Sequence, residues 1–434
     1  MVTRKRIKIQ EKLVALRWQQ LLGKELSTEE GEQLRVIYPG RVNGGSGPDF
    51  RDVIIAVNES NLMKGDIEIH IRSSDWYSHG HHGDPEYNSV ILHVVMWHDD
   101  SATLTQNGKA VPVLCLSPEY RAYSTPYHLP CFQIMKHKDK QTLRKLLAVA
   151  GEERFKQKAI HFQAKLRQEE AGEMLFQGMM RALGYSRNIK PFEQLAHRVP
   201  LNFMEKMQPK EDLILKQAWL LGTAGLLPSQ RSSKGFLKER EVQELERAWR
   251  LVGKKAKTMS KNDWHLSHVY PNNSPVRRII AQGYILQRYY REGLLRGILQ
   301  LVKGACLVNG YRELENGLVV FGDGYWQDHF DFGLKTGKSA LLGHGKASEI
   351  VVNIILPFAF SFGEVAGEPE IKEKAIKLYA YYPKLGENEV THHMARQLCL
   401  EDTSDFTACH QQGLIHIFRN YCREGRCSEC PLVS

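Results

Sequence analysis

The sequence predicts an α/β domain at the N-terminus followed by a mainly α-helical region. Three features carry this. Residues 66–72 (DIEIHIR) alternate strictly, so that Ile67, Ile69 and Ile71 share one face of a pleated ribbon and Asp66, Glu68, His70 and Arg72 the other. Residues 90–97 (VILHVVMW) form a nearly continuous β-branched and apolar run, the pattern of a strand buried on both faces. Beyond about Lys136 the chain changes to long stretches with helical periodicity.

Taken in order, residues 10–22 place Leu13, Val14, Trp18, Leu21 and Leu22 at helical spacing and predict an amphipathic first helix, although Arg17 interrupts the stripe and Leu16 lies off it. Residues 33–38 predict a first strand. Residues 39–48 (PGRVNGGSGP) are punctuated throughout by glycine and proline and form a loop that delivers the backbone to Asp49. Residues 50–57 and 62–72 predict two further strands joined as a hairpin by a turn at 58–61. Residues 73–88 show neither alternation nor a long helical pattern, but Ser74 or Asp75 can cap a short helix. After the strand at 90–97 comes another at 110–116. Helical segments follow at 141–183, 191–206, 211–222, 235–252 and 275–303, with Gly184, Pro191, Pro228 and the proline-rich turn at 271–275 as caps or stops. Residues 322–345 are a glycine-rich and aromatic junction before helices at 347–363 and 368–382. The expected division is an α/β domain at 1–135, a helical domain at 136–390 and a cysteine-bearing segment at 391–434.

Composition sets the class. The 434 residues are 42% hydrophobic and 25% charged, as in ordinary globular proteins and unlike disordered chains. The net charge of +10 and a pI near 9.0 favour an anionic partner such as nucleic acid. The basic N-terminal stretch has no apolar core of signal-peptide length. The longest apolar run, 350–362, is interrupted by Asn353 and Pro357 and falls short of the roughly 20 residues needed to span a bilayer. A cytoplasmic protein with no membrane partner is expected.

The polar strand face is either a solvated edge laced by ion pairs or a site. Asp49 at the start of one hairpin strand and Glu68 on its partner, with 18 residues between them, can turn two carboxylates towards one hard divalent cation, magnesium or manganese. Such an ion would polarise a phosphate and lower the pKa of a bound water, with His70 orienting or deprotonating that water and Arg72 stabilising phosphoryl charge. Six of the 18 histidines lie between 70 and 98: His70, His79, His81, His82, His93 and His98. His79, His81 and Asp84 can serve as further metal ligands, which also opens a metallohydrolase acting on a small substrate. His93, inside an apolar strand, reads as a hydrogen-bonded core histidine.

Pro48-Asp49 followed by Glu68-Ile69-His70 resembles the signature of the PD-(D/E)xK nuclease superfamily, with histidine where lysine is usual, and the order of elements is similar to that superfamily's core. The resemblance implies a restriction-endonuclease-like mixed sheet and metal-dependent cleavage of DNA or RNA. The missing lysine leaves open a nucleic-acid-binding or scaffold protein whose nuclease fold has lost its catalysis. Tyr87 and Asn88 stand where that superfamily often adds a polar residue. Over nearly the whole chain, the runs SGPDF, GDIEIHIRSSDW, HGHHGDPEYNSVILHVV, PNNSPVRR, YWQDHFDFG and GLIHIFRNYC resemble an uncharacterised bacterial family, a domain of unknown function (DUF2851-like).

Four of eight cysteines, Cys409, Cys422, Cys427 and Cys430, crowd into the last 26 residues with the spacing C-x12-C-x4-C-x2-C. Four thiolates suit tetrahedral zinc or a 4Fe-4S cluster, and such a site would pin a tail too short to hold its own core. Finally, Arg277, Arg278, Arg288, Arg291 and Arg296 interleave with Tyr284, Tyr289 and Tyr290. They form a solvated helix face with aromatic packing or, as the less favoured reading, a phosphate clamp.

Overall fold

A computed structural model describes residues 11–58, 61–99, 103–116, 131, 139–207, 212–231, 239–253, 256–266, 273–400 and 402–433. Its residues 66–72 are the second half of the longest strand of a seven-stranded mixed sheet. The N-terminal elements are helix α1 (Glu11–Gln19), strands β1 (Glu25–Ser27), β2 (Gln33–Tyr38), β3 (Arg41–Val42), β4 (Phe50–Val57) and β5 (Asn61–Arg72), the short helix α2 (Asp75–Ser78), and strands β6 (Val90–Trp97), β7 (Thr103–Leu104), β8 (Ala110–Val111) and β9 (Val113–Cys115). The sheet runs β1-β2-β4-β5-β6-β9, with β3 paired to β4. It is antiparallel from β1 to β5 and parallel from β5 through β6 to β9. The expected hairpin is the β4–β5 pair, while the strand expected at 110–116 divides at Pro112 into β8, which pairs with β7, and β9, which joins the sheet.

The two faces of the sheet do different work. Ile67 and Ile69 join Phe50, Val53, Ile55, Leu92, Val94 and Leu114 in a core closed by Val14 and Trp18 of α1. The indole of Trp18 donates to the Pro39 carbonyl at 2.9 Å, which fixes the helix on the sheet. Leu13 and Leu16 are exposed, so the buried stripe of α1 is narrower than the residue pattern implies. The opposite face carries Asp66, Glu68 and His70 beneath a small cluster of Trp76, Tyr87, Val90 and Val111.

The chain forms two compact units: Met1–Leu146 with Glu387–Glu401 and Ile417–Ser434, and Leu147–Gly386 with Asp402–His416. The cysteine-bearing segment expected at 391–434 is thus shared between them. The second unit is a helical assembly around a continuous core. Its helices are shorter than the periodic runs in the sequence. The run at 141–183 breaks into Lys140–Leu166 and Ala171–Leu183, and that at 275–303 into Pro275–Arg288 and Leu294–Gly304, where Gly293 takes φ +85°. Pro191 does not end a helix but lies inside Tyr185–Arg198, held there by burial of Phe192, Leu195 and Ala196. The glycine-rich junction carries the short strands Val320–Phe321, His329–Asp331, Leu334–Lys335 and Ala340–Leu342.

Two expectations change here. The continuous helical run His344–Val365, 22 residues, has the length and composition to cross a membrane, more than the interrupted apolar run suggests, but most of its apolar stretch is buried in the core of the helical unit. Of the five arginines expected on a solvated face or a phosphate clamp, Arg277 and Arg278 lie on neither, whereas Arg288, Arg291 and Arg296 are exposed. Arg277 and Arg278 are buried; Arg277 donates to the His329 and Ala340 carbonyls at 2.5 and 3.0 Å, Arg278 to that of Leu341 at 3.1 Å, and Arg288 to those of Gly317 and Val319 at 2.7 and 2.8 Å. Arg277 and Arg278 thus tie down the backbone of the glycine-rich junction, and Arg288 that of the residues just before it. The N-terminal basic residues 1–10, the middle of the turn at 58–61 and Pro271–Asn272 lie outside the described residues.

Candidate metal centre

Asp49 reaches the sheet through a loop that is built rather than slack. The Asn43 amide donates to the carbonyls of Ser46, Gly47 and Pro48 at 2.9, 3.2 and 2.8 Å, and Asn43 N–H donates to Asp49 O at 2.7 Å. Gly47 has φ +79°, and a Cβ there would collide with the Arg51 guanidinium and the Glu86 carboxylate, so glycine is required. Just beyond, β4 and β5 lose register: Phe50 pairs with Ile67 but Val53 with Gly65, which sets Arg51 and Asp52 against Asp66 alone. This is a β-bulge, with Asp52 in the left-handed region at φ 60°. Asp66 locks it, accepting from Arg51 Nη1 (3.1 Å), Asp52 N–H (3.1 Å) and Ser89 Oγ (2.7 Å). Asp66 is therefore a structural acid.

The bulge brings Asp49 level with Glu68. Asp49 Oδ2 accepts from Ile69 N–H at 3.1 Å, and Glu68 Oε2 accepts from Asp49 N–H at 3.1 Å. Glu68 is 6% exposed. Burial and the neighbouring Glu68 push the Asp49 carboxyl up to about 7. Two carboxylates held this close, with few polar partners besides backbone amides, favour either a shared proton or a cation.

Three histidines complete the group. The ring nitrogens of His70, His79 and His81 offer ligand atoms that all lie within 4.8 Å of one another. His70 Nε2 is 3.1 Å from His79 Nδ1 and 3.6 Å from Glu68 Oε1. His81 Nε2 lies 3.2 Å from Glu68 Oε1 yet is buried without a hydrogen-bond partner, since this approach lacks hydrogen-bond geometry. The His81 ring is stacked on Tyr87 at 3.9 Å between centroids and stands 5.5 Å from Trp76, so the loop 79–87 is held by aromatic packing.

Behind this group runs a hydrogen-bonded chain. His70 Nδ1 is 2.8 Å from His93 Nε2, and His93 Nδ1 is 3.1 Å from Thr103 Oγ1. If His93 donates to Thr103, it accepts from His70 Nδ1–H, and His70 Nε2 then turns a lone pair towards Glu68, His79 and His81. Burial lowers His70 to about 2 and His93 to about 3, so both rings are neutral at physiological pH. His93 is the core histidine the sequence implies, and its position makes it the orienting partner of His70. His70 cannot reproduce the positive charge of a lysine; a neutral imidazole is a nitrogen ligand.

Not every expected residue joins. Arg72 leaves the polar face at the end of β5, is largely exposed, and pairs with Asp99 at 3.0 Å. Asp84 caps the turn Pro85–Ser89, accepting from Glu86 N–H at 2.9 Å, which uses the carboxylate that the small-substrate reading needs as a ligand. His82 is exposed against Tyr77, and Asn88 bonds Gln106 and Asn107. Cys422, Cys427 and Cys430 lie in the sheet-containing unit, whereas Cys409 belongs to the helical unit, its sulfur 3.4 Å from the Ala148 carbonyl.

One feature of the helical unit had a signal in the sequence that strand and motif reading pass over. Arg154, Lys158, His161 and Lys165 recur at intervals of four, three and four residues along Lys140–Leu166, one face of a helix, and line a cavity of about 580 Å³ with Gln177, Arg181, His197 and Asn353. Asn353 sits in a π-helical turn, Val351–Ile355, and accepts from Lys158 Nζ. Glu193 pairs with Arg181 there.

Comparison with curated proteins and with solved structures finds no match. Over residues 11–388, comprising the sheet, the metal-centre residues and most of the helical unit, the chain matches the family described as "Protein of unknown function (DUF2851)" and belongs to it.

Proposed function

We propose that the sheet-containing unit is a metal-dependent nuclease that hydrolyses phosphodiester bonds in DNA or RNA. The observation that carries this reading is the convergence of a buried carboxylate, Glu68, and a half-buried one, Asp49, on three imidazoles, His70, His79 and His81, among which one buried nitrogen has no hydrogen-bond partner. The resemblance of Pro48-Asp49 and Glu68-Ile69-His70 to the PD-(D/E)xK signature, on a mixed sheet with the hairpin where that core has it, supports the substrate class.

In this reading Asp49, Glu68 and the three histidines hold one divalent cation, and the imidazole-rich donor set suits manganese better than magnesium. The bound ion supplies Lewis acidity towards a phosphate oxygen and an ionised water at neutral pH. The protein's own share is positional. The bulge at Arg51–Asp52 sets Asp49 beside Glu68, His93 fixes the His70 ring, and Tyr87 and Trp76 keep His81 facing Glu68. The cation takes over the charge that a lysine brings in related sites.

Incubation of purified protein with supercoiled plasmid or single-stranded DNA and manganese tests the proposal. Nicking is expected, with Asp49→Ala and Glu68→Ala each losing more than the roughly 10–100-fold typical of outer-shell changes. Cleavage that survives both substitutions rejects it.

A second reading, a nucleic-acid-binding or scaffold protein without catalysis, is favoured by the basic cavity of the helical unit. Salt-dependent binding without cleavage under any divalent metal would select it.

A further inference from the structure

The C-terminal cysteines do not need Cys409 to make a set of four. Cys131, Cys422, Cys427 and Cys430 all fall in the sheet-containing unit. Gln397, at the end of the helix Glu389–Gln397, directs its amide nitrogen to Cys131 Sγ at 3.2 Å and Cys422 Sγ at 3.7 Å, and Met394 Sδ lies 3.9 Å from Cys422 Sγ. Two sulfurs from distant parts of the chain thus flank one side chain.

The other two, Cys427 and Cys430, begin and cap one tight turn, Cys427–Glu429, which follows the turn Cys422–Glu424 that carries Cys422. Between them Gly425 takes φ +66°, which reverses the chain so that Arg426 N–H donates to Tyr421 O at 3.0 Å. Cys430 N–H then donates to Cys427 O at 3.2 Å. The turn is seated on the sheet: Lys64 of β5 pairs with Glu424 at 2.8 Å. Cys131 and Cys430 are buried, Cys422 and Cys427 half-buried, and no disulfide joins the described cysteines.

We propose that Cys131, Cys422, Cys427 and Cys430 are the four ligands of an iron–sulfur cluster that fastens the C-terminal tail to the sheet. The Cys422 sulfur lies within electrostatic reach of Cys131, Cys427 and Cys430, which places the four in one group. The choice of cluster over zinc rests on spacing. A tetrahedral zinc with Zn–S of about 2.3 Å draws its sulfurs to about 3.8 Å from one another. Among the described residues the three histidines converge within 4.8 Å of one another, whereas no three of these sulfurs do. A cluster, with several irons and bridging sulfides between its ligands, suits the wider frame. Cys409 has a different place. Its sulfur lies against Ala148, and Gly151 is held so close to it that an added Cβ would collide with the Cys409 carbonyl; it is a packing residue of the helical unit.

The test is anaerobic purification of the full chain with iron, zinc and acid-labile sulfide analysis. About four iron and four sulfide per chain with visible absorbance are expected, lost in Cys131→Ser and kept in Cys409→Ser. Alkylation of the folded wild-type protein, read by mass spectrometry, needs no variant. Exposed Cys306 and Cys399 should label at once, whereas Cys131, Cys422, Cys427 and Cys430 should become reactive together only when iron is stripped by oxidant and chelator. One zinc per chain in place of iron, cluster loss in Cys409→Ser but not Cys131→Ser, or labelling of the four cysteines independent of iron would each overturn the proposal.

Discussion

The polar face of β5 and the basic face of the helix Lys140–Leu166 both gather charged and titratable side chains, but with opposite physics. On the sheet, Asp49, Glu68, His70, His79 and His81 are packed so tightly that they cannot all take their ordinary protonation states: the acid Asp49 is pushed up and the base His70 pushed down. Both shifts reduce charge in a place water hardly enters; a cation there would reverse the first, ionising Asp49, and reinforce the second, keeping His70 neutral. On the helix, Arg154, Lys158, His161 and Lys165 line an open cavity and share amide partners, as where Gln412 Oε1 accepts from both Arg154 and Lys158 at 2.8 and 2.9 Å. That arrangement gathers basic side chains and suits an anion. In the function proposed above, one region would take a cation it must desolvate and the other an anion it meets in solvent.

The comparison can be broken at its strongest point. His93→Phe keeps the ring volume but removes the bond to His70 Nδ1, and it should lower manganese affinity, measured calorimetrically, by about 10–100-fold. Unchanged affinity would mean that His70 is not a ligand. Next in size, Arg154→Ala with Lys158→Ala should weaken nucleic-acid binding and lower the slope of log K against log salt by about 1 for each phosphate that is no longer neutralised, with manganese affinity on the sheet untouched. An unaltered slope would remove the helical face from the binding surface.

Acid should loosen the sheet-containing unit in metal-free protein. Burial lowers His70, His93 and His393 to about 2, 3 and 4, from 6.5. Below 6.5 the unfolded chain therefore binds protons that the folded one refuses, and the stability present above 6.5 declines as pH falls. Asp49, raised to about 7, acts in the opposite sense, since between about 4 and 7 the folded chain keeps a proton that the unfolded one loses. Three groups against one leave a net loss on acidification. At about 1.4 kcal/mol per proton and pH unit, the melting temperature should fall by several degrees between pH 6 and pH 5. A flat profile in circular dichroism would show that these rings are not buried neutral. The smallest effect belongs to Arg72→Ala. An exposed pair with Asp99 contributes about 0–1 kcal/mol, so both stability and cleavage should stay within about twofold; a large drop in cleavage would restore Arg72 to the site.

Much of this was legible in the residues for a simple reason. A strand's two-residue period is local, so the bounds of β2, β4 and β6 follow from alternation and β-branched runs, and β5 starts one residue earlier than expected. Glycine at 47 and the glycine-rich approach to Asp49 likewise have local causes. The helical unit was read more coarsely because periodicity continues across a break such as Gly293, and because burial overrides a helix breaker such as Pro191. Asp84, Arg72 and Cys409 carry the right chemistry for a site, but their partners lie at Glu86, Asp99 and Ala148, which no spacing rule identifies.

By itself, then, the sequence determined the strands of the N-terminal α/β unit, the helical region after it and the acidic-histidine face of β5, since each rests on a repeat of two or 3.6 residues, whereas the mixed pairing of those strands is what the resemblance implied. The tertiary structure alone decided which residues meet on that face. Only the bulge at Arg51–Asp52 makes Asp49 the neighbour of Glu68, only the folding of residues 79–87 over the sheet adds His79 and His81, and only the return of the C-terminal tail brings Cys422 to the amide that also holds Cys131. Convergence of ligands depends on distances across the fold, which a one-dimensional pattern does not contain.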